Sequence, residues 1–313
     1  MFEAILMAAM ATAEPVSLTA VQDSYPHLSP DGRTLAFHSN RSGRQAIWLA
    51  EAGGENPRML YDGGDLGSDP GTPVWSPDGR SIAFAMRPVG ATDDSESDVF
   101  VMDAEGRSVR RLTETPGDDS HPHWAVDGKR IYFNSARATP DLKADWGTQW
   151  IDIYSMNADG SDVRRHTDCK ATCTYPVPSP DGFLVAHRRT IPTASLDWAQ
   201  KPVQRNSEVF VTNLDGSGSV NVSKSPAYDG WPQWSPNGRW LLFASNRGQP
   251  PNMGQIFAVR ADGSNLRQVT SGAISRVQPS VSFDGKLLFF YENIENEGFE
   301  IGHIARTELS LPE

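Results

Sequence analysis

The 313-residue chain is poor in cysteine, in positive charge and in unbroken apolar sequence. Its two cysteines, Cys169 and Cys173, are too few for a disulfide-built scaffold. They either close one small bridge in an oxidising compartment or stand as unrelated thiols, and without histidine they fall short of a structural zinc site. No apolar run approaches the roughly 18 residues that a spanning helix needs, so no transmembrane segment is expected. Against 39 Asp+Glu there are 28 Lys+Arg, leaving a net charge of −11. With no basic stripe to offset it, a phosphate backbone is repelled and nucleic acid is not an expected partner. A Gly-x-Ser-x-Gly elbow is also missing, which excludes serine peptidase chemistry of the α/β-hydrolase kind. What is present, 38% hydrophobic residues and 27 glycines, is ordinary for a globular chain with a large core.

The first residues, MFEAILMAAMATAEP, hold a short apolar stretch and a small-residue Ala11-Thr12-Ala13 site, with Glu3 where a secretory leader would carry Lys or Arg. Residues 1–13 are expected to be an export signal or a disordered N-terminus, and the protein periplasmic or secreted.

From residue 14 to 313 the chain repeats itself. A block x-Pro-x-apolar-Ser-Pro-Asp-Gly is followed by an apolar strand, a variable stretch, a second apolar strand and a Gly turn. The turn Asp or Asn falls at Asp31, Asp78, Asp127, Asp181, Asn237 and Asp284, with spacings of 47, 49, 54, 56 and 47 residues. A period near fifty that contains several strand signals predicts a propeller with one blade per copy. The expected fold is therefore all-β: a six-bladed β-propeller of four-stranded antiparallel blades.

Proline has no backbone donor and is tolerated on a sheet edge, so Tyr25-Pro26-His27 and its five counterparts form strand A, the innermost strand facing the channel. Ser-Pro-Asp-Gly then makes a tight type I turn into strand B. Strands B and C carry the aromatic and β-branched runs, such as Leu35-Ala36-Phe37 and Ile47-Trp48. Val16-Ser17-Leu18-Thr19 reads as a strand D with no preceding strands of its own, so an N-terminal strand is expected to complete the sixth blade and remove a dangling edge.

These repeats resemble the TolB-like β-propeller family, on the strength of Ser29-Pro30-Asp31-Gly32, Ala158-Asp159-Gly160-Ser161 and Arg111-Leu112-Thr113. The resemblance runs from about residue 16 to the end and does not include the N-terminal domain that TolB proteins carry. It implies a periplasmic propeller that binds a protein partner of the cell envelope.

In such a blade the A–B and C–D connections emerge on one face, and the B–C and D–A connections on the other. The short turns belong to the first set and the long segments to the second, including Arg87 to Asp98, Arg137 to Trp150 and Arg189 to Ser207. Long loops on one end of a rigid scaffold mark the expected binding face. Around its mouth stand Tyr25, His27, Tyr175, Trp231 and Gln278 as candidate ligand-binding residues. Arg41, Arg137 and Arg247 close strand B at the same level and either hold an acidic ligand or pair with neighbouring-blade Asp residues. Such a mouth suits an oligosaccharide, a peptide or an envelope protein, bound by a monomer.

His121-Pro122-His123 is the sharpest local motif. Residues two apart on a strand share a side, so both imidazoles can reach one divalent ion (Mn, Zn or Ca), with Asp119, Asp118 or His27 as further ligands. The alternative is two histidines hydrogen-bonded in the mouth without metal. The motif is similar to the manganese site of oligogalacturonate lyases, propellers of this repeat type, which implies a second function: a metal-dependent polysaccharide lyase with His121 and His123 as ligands. Asp93, Asp94, Glu96 and Asp98 are expected to form a solvated acidic loop.

Overall fold

Each repeat folds as one four-stranded antiparallel sheet, and six such sheets follow one another in chain order. The computed structural model describes residues 14–15, 22–91, 96–144, 149–190, 207–250, 253–293 and 301–312; the expected leader lies outside them. Among the described residues there is no helix, and so none long and apolar enough to cross a membrane. Blade 1 runs from the innermost Asp23–Leu28 through Thr34–Ser39 and Ala46–Glu51 to Arg58–Tyr61. The innermost strands of the next five blades are Gly67–Trp75, Asp119–Trp124, Cys173–Pro178, Asp229–Trp234 and Ser275–Val281. In blade 2 this strand starts further ahead of its proline, at Gly67, which pairs with Pro88.

The N-terminus closes the ring, as the unpaired strand signal requires. Glu14–Pro15 pairs antiparallel with Gly302–Glu308 as the outermost strand of blade 6. The segment singled out in the sequence, residues 16–19, lies outside the described residues; the pairing that is described falls just before it.

The Ser-Pro-Asp-Gly turns are held by their own side chains. Ser29 Oγ donates to Asp31 Oδ1 at 2.5 Å, the Arg33 N–H donates to the same oxygen at 3.1 Å, and Gly32 takes φ +74°. Blade 3 lacks Ser and Pro at Ala125-Val126-Asp127-Gly128, yet Gly128 N still donates to Ala125 O at 2.9 Å, because Asp and Gly suffice for the turn.

The core lies between blades. Trp234 is 3% exposed, packs with Val177, Ala186 and Leu241 across blades 4 and 5, and donates its indole N–H to Val177 O at 3.0 Å. Trp75 and Trp124 are buried between blades in the same way. Leu28, Leu35 and Phe37 of blade 1 meet Phe289 and Ile304 of blade 6, so the last interface matches the others.

Candidate functional site

Every innermost strand carries the same irregularity at its X-Pro step. The pairing with strand B slips by one residue between Ser24 and His27, Gly71 and Val74, Ser120 and His123, Thr174 and Val177, Gly230 and Gln233, and Val277 and Ser280. Proline has no N–H for the ladder, so the strand bulges there. The residue before each proline is forced into the left-handed region: Tyr25, Thr72, His121, Tyr175, Trp231 and Gln278 all have φ between 50° and 57°. For side chains of this bulk the conformation costs about 1–3 kcal/mol each, and the cost is concentrated at one ring.

The six pre-proline residues form an upper ring at the start of the innermost strands. His27, Val74, His123, Val177, Gln233 and Ser280 form a second ring below, and together with the prolines they line the channel. Tyr25 and Tyr175 belong to opposite blades, and their hydroxyls meet at 3.3 Å across the axis. The channel cavity is about 90 Å³, room for a few waters and far below the several hundred Å³ of ordinary ligand sites.

Beside the upper ring, between blades 1, 2 and 3, opens a cavity of about 320 Å³. Its walls are Tyr25, Thr72 and His121 of the ring, with His38, Gln45, Asp69, Ser97, Asp118 and Ser120; among the described residues no Lys or Arg lines it. Two buried polar atoms of this wall, Gln45 Oε1 and Thr72 Oγ1, have no hydrogen-bond partner. A hollow of about 520 Å³ opens on the turn face as well. Its turn groups, such as Ser29 with Asp31, already satisfy one another.

A network fixes the protonation of the smaller cavity. Ser120 Oγ donates to Asp118 Oδ2 at 2.6 Å, and Asn134 Nδ2 donates to Ser120 Oγ at 2.9 Å. Asn134 Oδ1 is thereby left to accept from His121 Nδ1 at 3.0 Å, so His121 presents its Nε2 lone pair. His121 lies against the Tyr175 ring, with centroids 4.0 Å apart. Burial, reinforced by the Arg188 charge, lowers the His121 pKa to about 3, and burial lowers that of His38 to about 4. Burial raises the Asp118 carboxyl to about 7, with Asp119 and Asp98 adding repulsion.

The structure thus brings together Tyr25, His27, Tyr175, Trp231 and Gln278 with His121 and His123. It sets the arginines apart. Arg41, Arg137 and Arg247 reach Asp23, Asp119 and Asp229 of their own blades at 2.6, 3.0 and 3.0 Å, and lie over strand B phenylalanines. Each joins the two inner strands of one blade rather than lining the channel, and Arg247 also donates to Ser223 O at the end of blade 4 at 3.0 Å.

The proposed metal ligands do not converge either. The bulge places His121 at the upper level and His123 at the lower, where its ring is 6.2 Å from that of His27 and its Nδ1 donates to Trp124 O. Asp119 is taken by Arg137 and by Thr115 Oγ1 at 2.9 Å. Among the described residues the one group of three or more possible ligands with donor atoms within 4.8 Å of one another is Cys169, Cys173 and His187. The His121, His123 and Asp119 set therefore does not fit an ion. In the acidic loop, Asp93 and Asp94 lie outside the described residues, and Asp98 is buried on Arg111 at 2.5 Å rather than solvated.

Sequence reading missed Gln45, Thr72 and Asn134. Thr72 was legible in register, because it occupies the pre-proline slot of its copy; Gln45 had no signal.

Six four-stranded antiparallel blades around a constricted channel define a six-bladed β-propeller. The family model of the TolB beta propeller domain matches residues 65–194 and 199–311, and the chain belongs to that family. It is 32% identical over 233 residues to an uncharacterized Agrobacterium fabrum protein, Atu1656, covering 67% of this chain and 78% of that one. It is 23% identical over 250 residues to the uncharacterized peptidase YuxL of Bacillus subtilis, covering 77% of this chain but only 32% of the relative. Among solved structures, a putative TolB from Agrobacterium tumefaciens aligns with TM-score 0.66 at 19% identity over 95% of this chain and 93% of that one. Oligogalacturonate lyase from Vibrio parahaemolyticus aligns with TM-score 0.58 at 12% identity over 97% and 95%. At these identities the structural likenesses concern the fold alone.

Proposed function

We propose that the chain is a binding module of the bacterial cell envelope that takes a protein segment or an oligosaccharide at the B–C/D–A face, centred on the cavity beside the channel mouth. The observation that carries this reading is the cavity wall itself. A buried Asp118 and a neutral His121, with Gln45 and Thr72 that each hold one unpartnered buried polar atom, line a space large enough for a ligand. No Lys or Arg is among the described residues of this wall, so the site suits a hydroxyl-rich or ammonium-bearing group. Membership of the TolB propeller family supports an envelope setting. The Cys169–Cys173 disulfide is of the kind that persists in a periplasm or outside the cell. No specific observation favours the lyase reading, because the histidines of its motif stand at different levels of the channel.

Photo-crosslinking in intact envelopes tests the face. A benzoylphenylalanine at Leu66, which is 45% exposed beside the mouth, should give a discrete adduct that a His121→Ala variant weakens at least tenfold. The same probe at Phe183, 73% exposed on the turn face, should give none. Adducts from Phe183 alone would overturn the assignment. A titration with neutral and uronate oligosaccharides, read by tryptophan fluorescence, separates sugar from protein ligands.

A further inference from the structure

Between blades 3 and 4, away from the channel, Cys169, Cys173 and His187 lie together, all buried. Cys173 and His187 stand on adjacent strands of blade 4, and Cys169 comes from the connection out of blade 3. The two sulfurs are joined as a disulfide. His187 is placed as a ligating histidine is usually placed: Nε2 is hydrogen-bonded to Thr212 Oγ1 at 3.1 Å, while the buried Nδ1 has no hydrogen-bond partner. Its ring is stacked on Phe210 and its orientation is fixed.

The disulfide is not what holds the loop in place. Cys169 N donates to Asp152 Oδ1 at 2.7 Å, Thr167 Oγ1 donates to the same oxygen at 2.8 Å, and Cys173 N donates to Ile151 O at 2.9 Å. Opening the S–S bond therefore leaves both sulfurs beside His187. Arg189 also donates to Cys169 O at 3.1 Å, a further tie on the loop. The surrounding Tyr132, Ile153 and Val185 exclude water, which suits a soft ion that needs few ligands.

We propose that the reduced form of this protein binds one thiophilic d¹⁰ cation, Cu(I) or Zn(II), through Cys169 Sγ, Cys173 Sγ and His187 Nδ1, and that disulfide formation closes the site. A dithiol reductant supplies two electrons and two protons to the disulfide, giving two thiols while the reductant becomes a disulfide. Metal binding then releases both protons as the two thiolates coordinate. Because these are the chain's only cysteines, any thiolate signal reports this pair.

The test uses the whole protein, reduced with a phosphine and desalted without oxygen, then titrated separately with Cd(II), Zn(II) and Cu(I) against a chromophoric chelator. Cd(II) should produce one equivalent of thiolate-to-metal ultraviolet charge transfer, and Zn(II) or Cu(I) should displace it. The oxidised protein and a Cys169→Ser, Cys173→Ser variant should show no such band. His187→Gln should weaken binding at least tenfold. Far- and near-ultraviolet circular dichroism identifies a reduced protein that has unfolded, and that result would itself contradict the claim that Asp152 and Ile151 hold the loop. A folded, reduced protein that takes up no ion, or a His187→Gln variant that binds like wild type, would overturn the proposal.

Discussion

An Arg137→Met variant is expected to lose about 3 kcal/mol of stability at pH 8. The methionine keeps most of the stem packed over Phe133 and Tyr154 but removes the cation from Asp119, whose side chain is only 1% exposed. Burial already raises the Asp119 pKa despite its arginine. Without Arg137 the carboxylate is a buried charge relieved by protonation alone, so the loss should shrink as the pH falls. Asp119→Asn on top of Arg137→Met should recover part of it. Urea denaturation at pH 5 and pH 8 measures all three proteins. A single variant as stable as wild type at pH 8 would show that the guanidinium does not serve the blade and would return Arg137 to the ligand candidates. The matching pairs, Arg41 with Asp23 and Arg247 with Asp229, predict a comparable loss at pH 8 on removing the guanidinium in blades 1 and 5.

Asp118→Asn is expected to change stability in the opposite direction. The Asp118 pKa rises from the ordinary 3.8 to about 7, with burial as the main cause. A folded pKa above the unfolded one favours the protonated folded state. That stability is fully present below about pH 4 and is lost as the pH rises through 7. Three pKa units, with the opposing Ser120 hydrogen bond already counted, correspond to about 4 kcal/mol. Relative to the asparagine variant, wild-type stability should fall between pH 4 and 7, leaving the variant the more stable protein at pH 8. A stability difference between the two that does not change over this window would refute the assignment. An ionisable group buried at a cost beside a ligand-sized cavity is more readily explained by binding than by architecture, which ties this measurement to the proposed function.

Much of this molecule was legible as text. Six prolines, each with an apolar residue two positions on, fixed the innermost strands, because proline tolerates only an unpaired edge. The Asp-Gly turns gave the blade count and the order of connections. An isolated strand signal near the start implied closure by the N-terminus, and the pairing of residues 14–15 with Gly302–Glu308 has that form. The five channel residues Tyr25, His27, Tyr175, Trp231 and Gln278 were readable for the same reason: they flank those prolines.

Side-chain destinations within the blades were decided by packing. A strict two-residue alternation puts His121 and His123 on one metal, but the missing proline N–H creates a bulge, and the bulge sends them to different levels. Arginine at the end of strand B looks the same in sequence whether it faces a ligand or a carboxylate. Only the folded blade shows that Asp23, Asp119 and Asp229 lie within reach on the neighbouring strand. The cavity beside the mouth draws Gln45, Asp69 and Asp118 from three separate segments, and the Cys169, Cys173 and His187 cluster joins a loop to a strand. Periodicity in a chain encodes which strands pair and which edge is bare, since those depend on neighbours in sequence. What meets across a bulge or between two blades depends on distances that the repeat does not contain.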